Sequence, residues 1–318
     1  MLRFALGRLT RVIPVLLIVT MLVALLLELV PGNPAEAQLG RDTNPEALAA
    51  LEKKMGLDKP LPERYIKWLG NAVRGDLGKA TTSEESVNTV IKERFPISFE
   101  IAIVAQVLAL ALALTFGTLA AARAGGRFDR AVIAVCSAVQ SIPNYCVAIV
   151  GIILFAVQRR WFPVTGFTRL TENPLENLKA IVIPSVSLAL VEAAAFIRIL
   201  RGDLATTLKE DFVLSARAKG LPDSRVLFRH ALRPSLFGLV TVAGITLARL
   251  IGGTVVIESL FEIPGLGNKL FRALGSRDYT MIQGITAFLA VLYALLSVGV
   301  EILYALIDPR VRARVTAR

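Results

Sequence analysis

The stretch LTRVIPVLLIVTMLVALLLELV, residues 9–30, decides the fold class. Its only charges, Arg11 and Glu28, sit near its ends, and everything between them is apolar apart from Thr20. A helix needs about 20 such residues to cross the hydrocarbon core of a bilayer. Arg3 and Arg8 in front of it give the look of a secretion signal. The apolar run is too long for that, and no small-x-small cleavage site precedes Pro31-Gly32. The segment therefore reads as a retained first transmembrane helix. Outward from it lie five further apolar blocks, at 97–122, 131–157, 180–200, 236–257 and 285–307. Strand-sized apolar runs and barrel-type alternation are absent from the sequence, so helices must satisfy the backbone inside the membrane. The expectation is an all-α membrane protein with six transmembrane helices.

Composition agrees. The chain has 318 residues, of which 54% are hydrophobic, and a mean hydropathy of +0.61, too apolar for an ordinary soluble domain. The net charge of +11 does not point to nucleic acid, because Lys and Arg sit between apolar blocks and aromatics are only 7% of the chain. Topology explains the charge instead. With both termini and the loops 123–130 and 201–233 on one side, that side carries 17 Lys and Arg. The opposing short loops, 158–179 and 258–284, carry 7. The excess marks the cytoplasmic side, so both termini are expected there. The 66-residue segment 31–96 is then extracytoplasmic. Helical patterns at 45–55 and 62–73, with Leu51, Met55, Tyr65, Trp68 and Leu69, favour a folded cap over a tether. The expected division is 1–30 for the N-terminus and first helix, 31–96 for the cap, and 97–318 for a five-helix core.

Several chemistries drop out. His230 is the only histidine, so neither a His-based metal site nor a catalytic triad can be assembled. Cys136 and Cys146, on one continuous helix, would stand about 15 Å apart, too far for a disulfide. Gly78-Lys79 is followed by Ala80 and lacks the upstream glycine, so no phosphate cradle exists in the chain. No catalytic residue, metal ligand or bound cofactor is expected. Within or near the spans lie Glu28, Glu192, Arg198, Arg249 and Glu301. Each needs water, a partner or a role, because a buried ionisable group costs at least a few kcal/mol. Glu28 and Arg198 suit membrane edges. Glu192, Arg249 and Glu301 are candidates for a polar pathway or for interhelical ion pairs. Glu192 and Arg198, six apart, are poor partners for each other.

Between the fourth and fifth blocks, in a loop at about 201–235, the chain reads Glu210-Asp211-Phe212-Val213-Leu214-Ser215-Ala216-Arg217-Ala218-Lys219-Gly220-Leu221. Acidic residues open it, small residues fill its middle and a glycine closes it. That pattern predicts a short helix with Glu210 and Asp211 at its N-terminal dipole and Gly220 at its end. Ser215, Ala216 and Ala218 let another surface approach closely, and Arg217 and Lys219 suit an acidic rim. After the fifth block, ESLFEIPGLG (258–267) has two readings. It is either a re-entrant or gate-lining element, with Glu258, Phe261, Pro264, Gly265 and Gly267 on a pathway, or a helix-breaking corner with Phe261 and Leu266 at the interface.

The 210–221 loop resembles the cytoplasmic coupling loop of ABC-importer permeases. The Ala-Arg-Ala-Lys-Gly-Leu run followed by Arg229-His230-Ala231-Leu232 is similar to the peptide and nickel branch. The general motif has Glu-Ala-Ala before the glycine and a proline beyond it; here Leu214-Ser215-Ala216 and Arg233 stand there, with Pro234 displaced by one. Pro31-Gly32-Asn33-Pro34, Trp68-Leu69, Gly75-Asp76-Leu77-Gly78, Ile142-Pro143-Asn144, ESLFEIPGLG and Asp308-Pro309-Arg310 extend the likeness along nearly the whole chain. The resemblance implies a type I importer-permease bundle in the bacterial inner membrane. It also implies a second homologous permease subunit, two ATPase subunits or domains that hold ATP and Mg, and an extracytoplasmic substrate-binding protein. Glu210, Asp211 and Ser215 to Leu221 would form the docking element. Di- or oligopeptides are the implied cargo, since no His or Cys cluster suits nickel; nickel or another small solute is the alternative. An ion-gradient carrier would need inverted repeats or broken helices with a midplane site.

Overall fold

The computed structural model describes residues 2–29, 33–39, 44–80 and 83–307. The described residues are almost wholly helical. In chain order the helices are α1 (Leu2–Leu29), α2 (Pro34–Leu39), α3 (Pro45–Met55), α4 (Leu61–Val73), α5 (Val87–Ala122) and α6 (Arg127–Gln140). They continue with α7 (Asn144–Gln158), α8 (Pro174–Thr207), α9 (Asp211–Ala218), α10 (Asp223–Leu260), α11 (Leu266–Ser276) and α12 (Tyr279–Ile307). Five of them, α1, α5, α8, α10 and α12, are long and apolar enough to cross a membrane, and α6 with α7 makes a sixth span when counted together. Five of the six expected spans are thus single helices among the described residues, and the count reaches six with the bent α6–α7 pair taken as one span.

The third span differs from the continuous helix expected over 131–157. It bends by 96° between α6 and α7. Pro143 is extended, at φ −59 and ψ 142, and has no N–H to give the preceding turn. Proline also drives the residue before it, Ile142, away from helical geometry. Cys136 is buried on α6 and Cys146 half-buried on α7, both as free thiols. Three π-helical stretches interrupt the spans, at Ala113–Gly117, Ile152–Gln158 and Val226–Ala231.

Two compact units form. The first comprises Met1–Ser98 and Glu262–Arg318. Its core joins Leu27 of α1, Val87, Val90 and Ile91 of α5, Leu266 and Ala273 of α11, and Met281, Ile282 and Ile285 of α12. The helices expected at 45–55 and 62–73 are found as α3 and α4. Asn44 caps α3 by accepting from Glu46 N at 3.1 Å, and Pro45 occupies the first turn, where its missing N–H costs nothing. α4 is stitched to α1: the Tyr65 hydroxyl donates to Leu17 O at 3.1 Å, and Arg64 pairs with Glu28 at 3.0 Å. Trp68 Nε1 donates to Leu77 O at 3.3 Å, and Lys269 of α11 pairs with Glu85 at 2.6 Å.

The second unit, Phe99–Phe261, is built around α8. Asn173 starts this helix by accepting from Leu175 N at 3.2 Å and Glu176 N at 3.3 Å, followed by Pro174. Ile181, Leu188, Ala189, Ala193, Phe196, Ile197 and Leu200 are buried along it. Ala189 and Ala193 among them are small residues of the kind that lets membrane helices approach closely. A Cβ on Gly151 of α7 would lie 2.8 Å from Ile183 Cγ2, so only glycine permits that approach. Gln106 of α5 donates to Ala243 O of α10 at 3.0 Å.

Candidate functional site

The 210–221 segment folds as the sequence pattern predicts. Glu210 is extended, at φ −70 and ψ 148, and helix α9 follows with Asp211 in its first turn and Arg217 in its last. Both charges favour the helix dipole. Gly220 lies in the left-handed region at φ +78, its N–H donating to Arg217 O at 2.9 Å, and Leu221 N donates to Ala216 O at 3.4 Å. These bonds close the helix C-terminus. Two residues of α9 face inward. Val213 and Ala216 are buried in a cluster with Ala121 of α5, Leu204 of α8, and Val226 and Ala231 of α10; Leu221 packs against it. Ala216 therefore anchors the helix to its own chain rather than offering a small contact outward. What remains exposed is Phe212, Leu214, Ser215, Arg217, Ala218, Lys219 and Gly220, with Glu210 and Asp211 at the start. Phe212 and Leu214 are each about half exposed, 49% and 50%. A cleft of about 490 Å³ lies beside the base of the helix, lined by Arg201, Thr206, Lys209, Glu210 and Asp211 among others.

Glu192, midway along α8, and Arg249, in the second half of α10, are brought together. Arg249 Nη2 donates to both carboxylate oxygens, at 2.8 and 2.7 Å. The Glu192 side chain is 11% exposed and that of Arg249 67%. Arg198 does not join them; its Nη1 donates to Gln140 of α6 at 2.9 Å. The side chain of Glu301 lies outside the described residues. Glu258 is fully buried in the last turns of α10, not lining an open surface. The 258–267 segment forms a corner. Phe261 is 2% exposed, Glu262 takes φ +52, and Gly265 precedes α11. Leu266 N donates to Ser98 Oγ at 2.8 Å, and Leu266 is 1% exposed. Phe261 and Leu266 are thus buried in protein, which corrects the interfacial placement. Gly265 and Gly267 are buried and Pro264 is exposed.

Against known proteins, the family described as "Binding-protein-dependent transport system inner membrane component" matches residues 113–313. The chain belongs to that family. The corresponding N-terminal family, "Binding-prot-dependent transport system membrane comp, N-term", matches residues 1–102. Similar permeases include the di/tripeptide transport system permease protein DppB of Pseudomonas aeruginosa, 35% identical over 98% of this chain and 99% of that protein. The oligopeptide transport system permease protein OppB of Haemophilus influenzae is 34% identical over 98% and 100%. AppB of Bacillus subtilis, also named for oligopeptide transport, is 33% identical over 94% and 96%. Among solved structures, the inward-facing MetNI methionine ABC transporter matches with a TM-score of 0.58 at 18% identity, over 69% of this chain and 96% of that one. That likeness supports the importer-permease fold.

In this permease, one polar constellation escaped sequence reading. Asp129 of α6, 3% exposed at its side chain, accepts from Arg201 Nε at 2.8 Å and Nη2 at 2.5 Å, and from Gly125 N at 2.8 Å. Charge counting treats Arg201 as one more loop cation. The available signal was Asp129 itself, the single acid among Arg123, Arg127 and Arg130.

Proposed function

We propose that this chain is the permease subunit of an ATP-driven importer of di- or oligopeptides. The observation that carries this is similarity along 94–98% of the chain to three permeases named for peptide transport, in three bacteria. In this reading the chain forms half of a translocation pathway with a second permease, and both termini face the cytoplasm. Hydrolysis belongs to ATPase subunits, and a binding protein delivers peptide from outside. The charge asymmetry between loops supports the orientation.

The exposed face of α9 is then the surface the ATPases grip. Val213 and Ala216 fasten it to α5, α8 and α10, so a push on α9 moves the ends of those helices together. An ATPase drives access from one side to the other only if it prefers one arrangement of α9 energetically. Reconstitution with the partner subunits, a labelled tripeptide and ionophores tests the reading. Uptake that needs ATP and persists without ion gradients is expected; uptake driven by a gradient alone would refute it.

A further inference from the structure

An arginine within a membrane-spanning helix, two-thirds exposed, is expensive against lipid. Its face of α10 must therefore meet water or protein. That face has a particular make-up: Ile245, Arg249, Gly252, Gly253 and Val256 follow at helical spacing, and all are exposed. A Cβ on Gly252 or Gly253 would meet nothing within 4 Å. Beside the guanidinium, then, lies bare helix surface with room above it.

The guanidinium itself is only partly used. Glu192 engages Nη2 alone, through both of its oxygens. Arginine carries donors on three nitrogens, so Nε and Nη1 are left for another acceptor, and neither makes a hydrogen bond among the described residues. Glu192 is nearly buried on α8 and fixes the orientation of the group, which removes most of the ordering cost of a second partner.

Resting on the reading of the chain as a peptide permease, we infer that Arg249 receives the C-terminal carboxylate of the peptide in transit. Glu192 is its positioning residue. A guanidinium recognises a carboxylate by charge-assisted hydrogen bonds, the stronger kind. The terminal carboxylate is common to every unmodified peptide, whatever its side chains. A cation next to glycines reads that shared group and imposes little on the residues beside it. This suits a pathway that must pass many sequences.

The test uses the complete reconstituted importer and two substrates, a tripeptide and its C-terminal amide, delivered at equal occupancy of the binding protein. Wild type is expected to import the free acid about tenfold faster than the amide. Arg249→Gln should bring the ratio of acid to amide uptake down to about one. Arg249→Lys, which keeps the charge, should retain part of the preference. If Arg249→Gln fails to assemble, Arg249→Lys decides: equal handling of acid and amide by that variant overturns the inference. Equal loss for both substrates in Arg249→Gln also overturns it, and lost co-purification of the second permease would then assign the residue to a subunit contact. Wild type importing neither peptide would instead sink the peptide-permease reading on which this rests.

Discussion

Asp129 and Gly220 show how single residues set the shape of the α9 region. Asp129 is buried, and Arg201 together with the Gly125 amide satisfies its carboxylate. Removing Asp129 leaves the part-exposed Arg201 and the Gly125 amide without their acceptor, at about 1–3 kcal/mol. Asp129→Ala is expected to lower the thermal unfolding temperature of the purified chain clearly, and Asp129→Asn to lower it less. An unchanged unfolding curve for Asp129→Ala would remove the clamp from the account. Gly220 has open space around it but sits at φ +78, so the obstacle to substitution is backbone strain, not collision. Gly220→Val should cost about 1–2 kcal/mol locally and distort the end of α9. Transport and peptide-stimulated ATPase activity of the assembled importer should fall while membrane insertion stays normal. Full transport by that variant would count against α9 as the docking element.

At the scale of elements, α9 has two faces with different duties. Val213→Asp puts a charge into the cluster of Ala121, Leu204, Val226 and Ala231 and is expected to reduce both stability and coupling. Phe212→Ser with Leu214→Ser changes only the exposed face. It should weaken co-purification of the ATPase subunits and leave thermal unfolding unmoved; equal unfolding losses in both variants would erase the distinction. How much of this was legible beforehand follows from physical range. The existence, start and end of α9 were readable because acids, small residues and glycine act locally. Its inward face was not, since eight residues carry one buried pair, Val213 and Ala216, among other apolar side chains. Pro143 announced the bend between α6 and α7, yet the apolar run across it outweighed one residue in a hydropathy reading. Hydropathy likewise treats lipid and protein as the same apolar surroundings, so Phe261 and Leu266 looked interfacial when they are buried. Asp129 and Arg201 stand 72 residues apart, beyond any local pattern.

For the whole molecule, the five spans that form single helices were legible because crossing a bilayer demands length and apolarity, and both are properties of sequence alone. Glu192 and Arg249, singled out as costly charges, meet each other across α8 and α10, while the pathway they are proposed to line is a matter for the assembled transporter. The account of that assembly rests on α9 facing the cytoplasm and being moved by ATPase subunits. The most direct measurement places one cysteine at position 219, by Lys219→Cys with Cys136 and Cys146 replaced by serine, in the reconstituted importer. It then follows labelling by a membrane-impermeant maleimide and cross-linking to the ATPase subunits. The prediction is labelling from the cytoplasmic side only, with a cross-link to an ATPase subunit whose yield changes when ATP is added. Labelling from the outer side, or transport by the purified chain without any ATPase subunit, would contradict it.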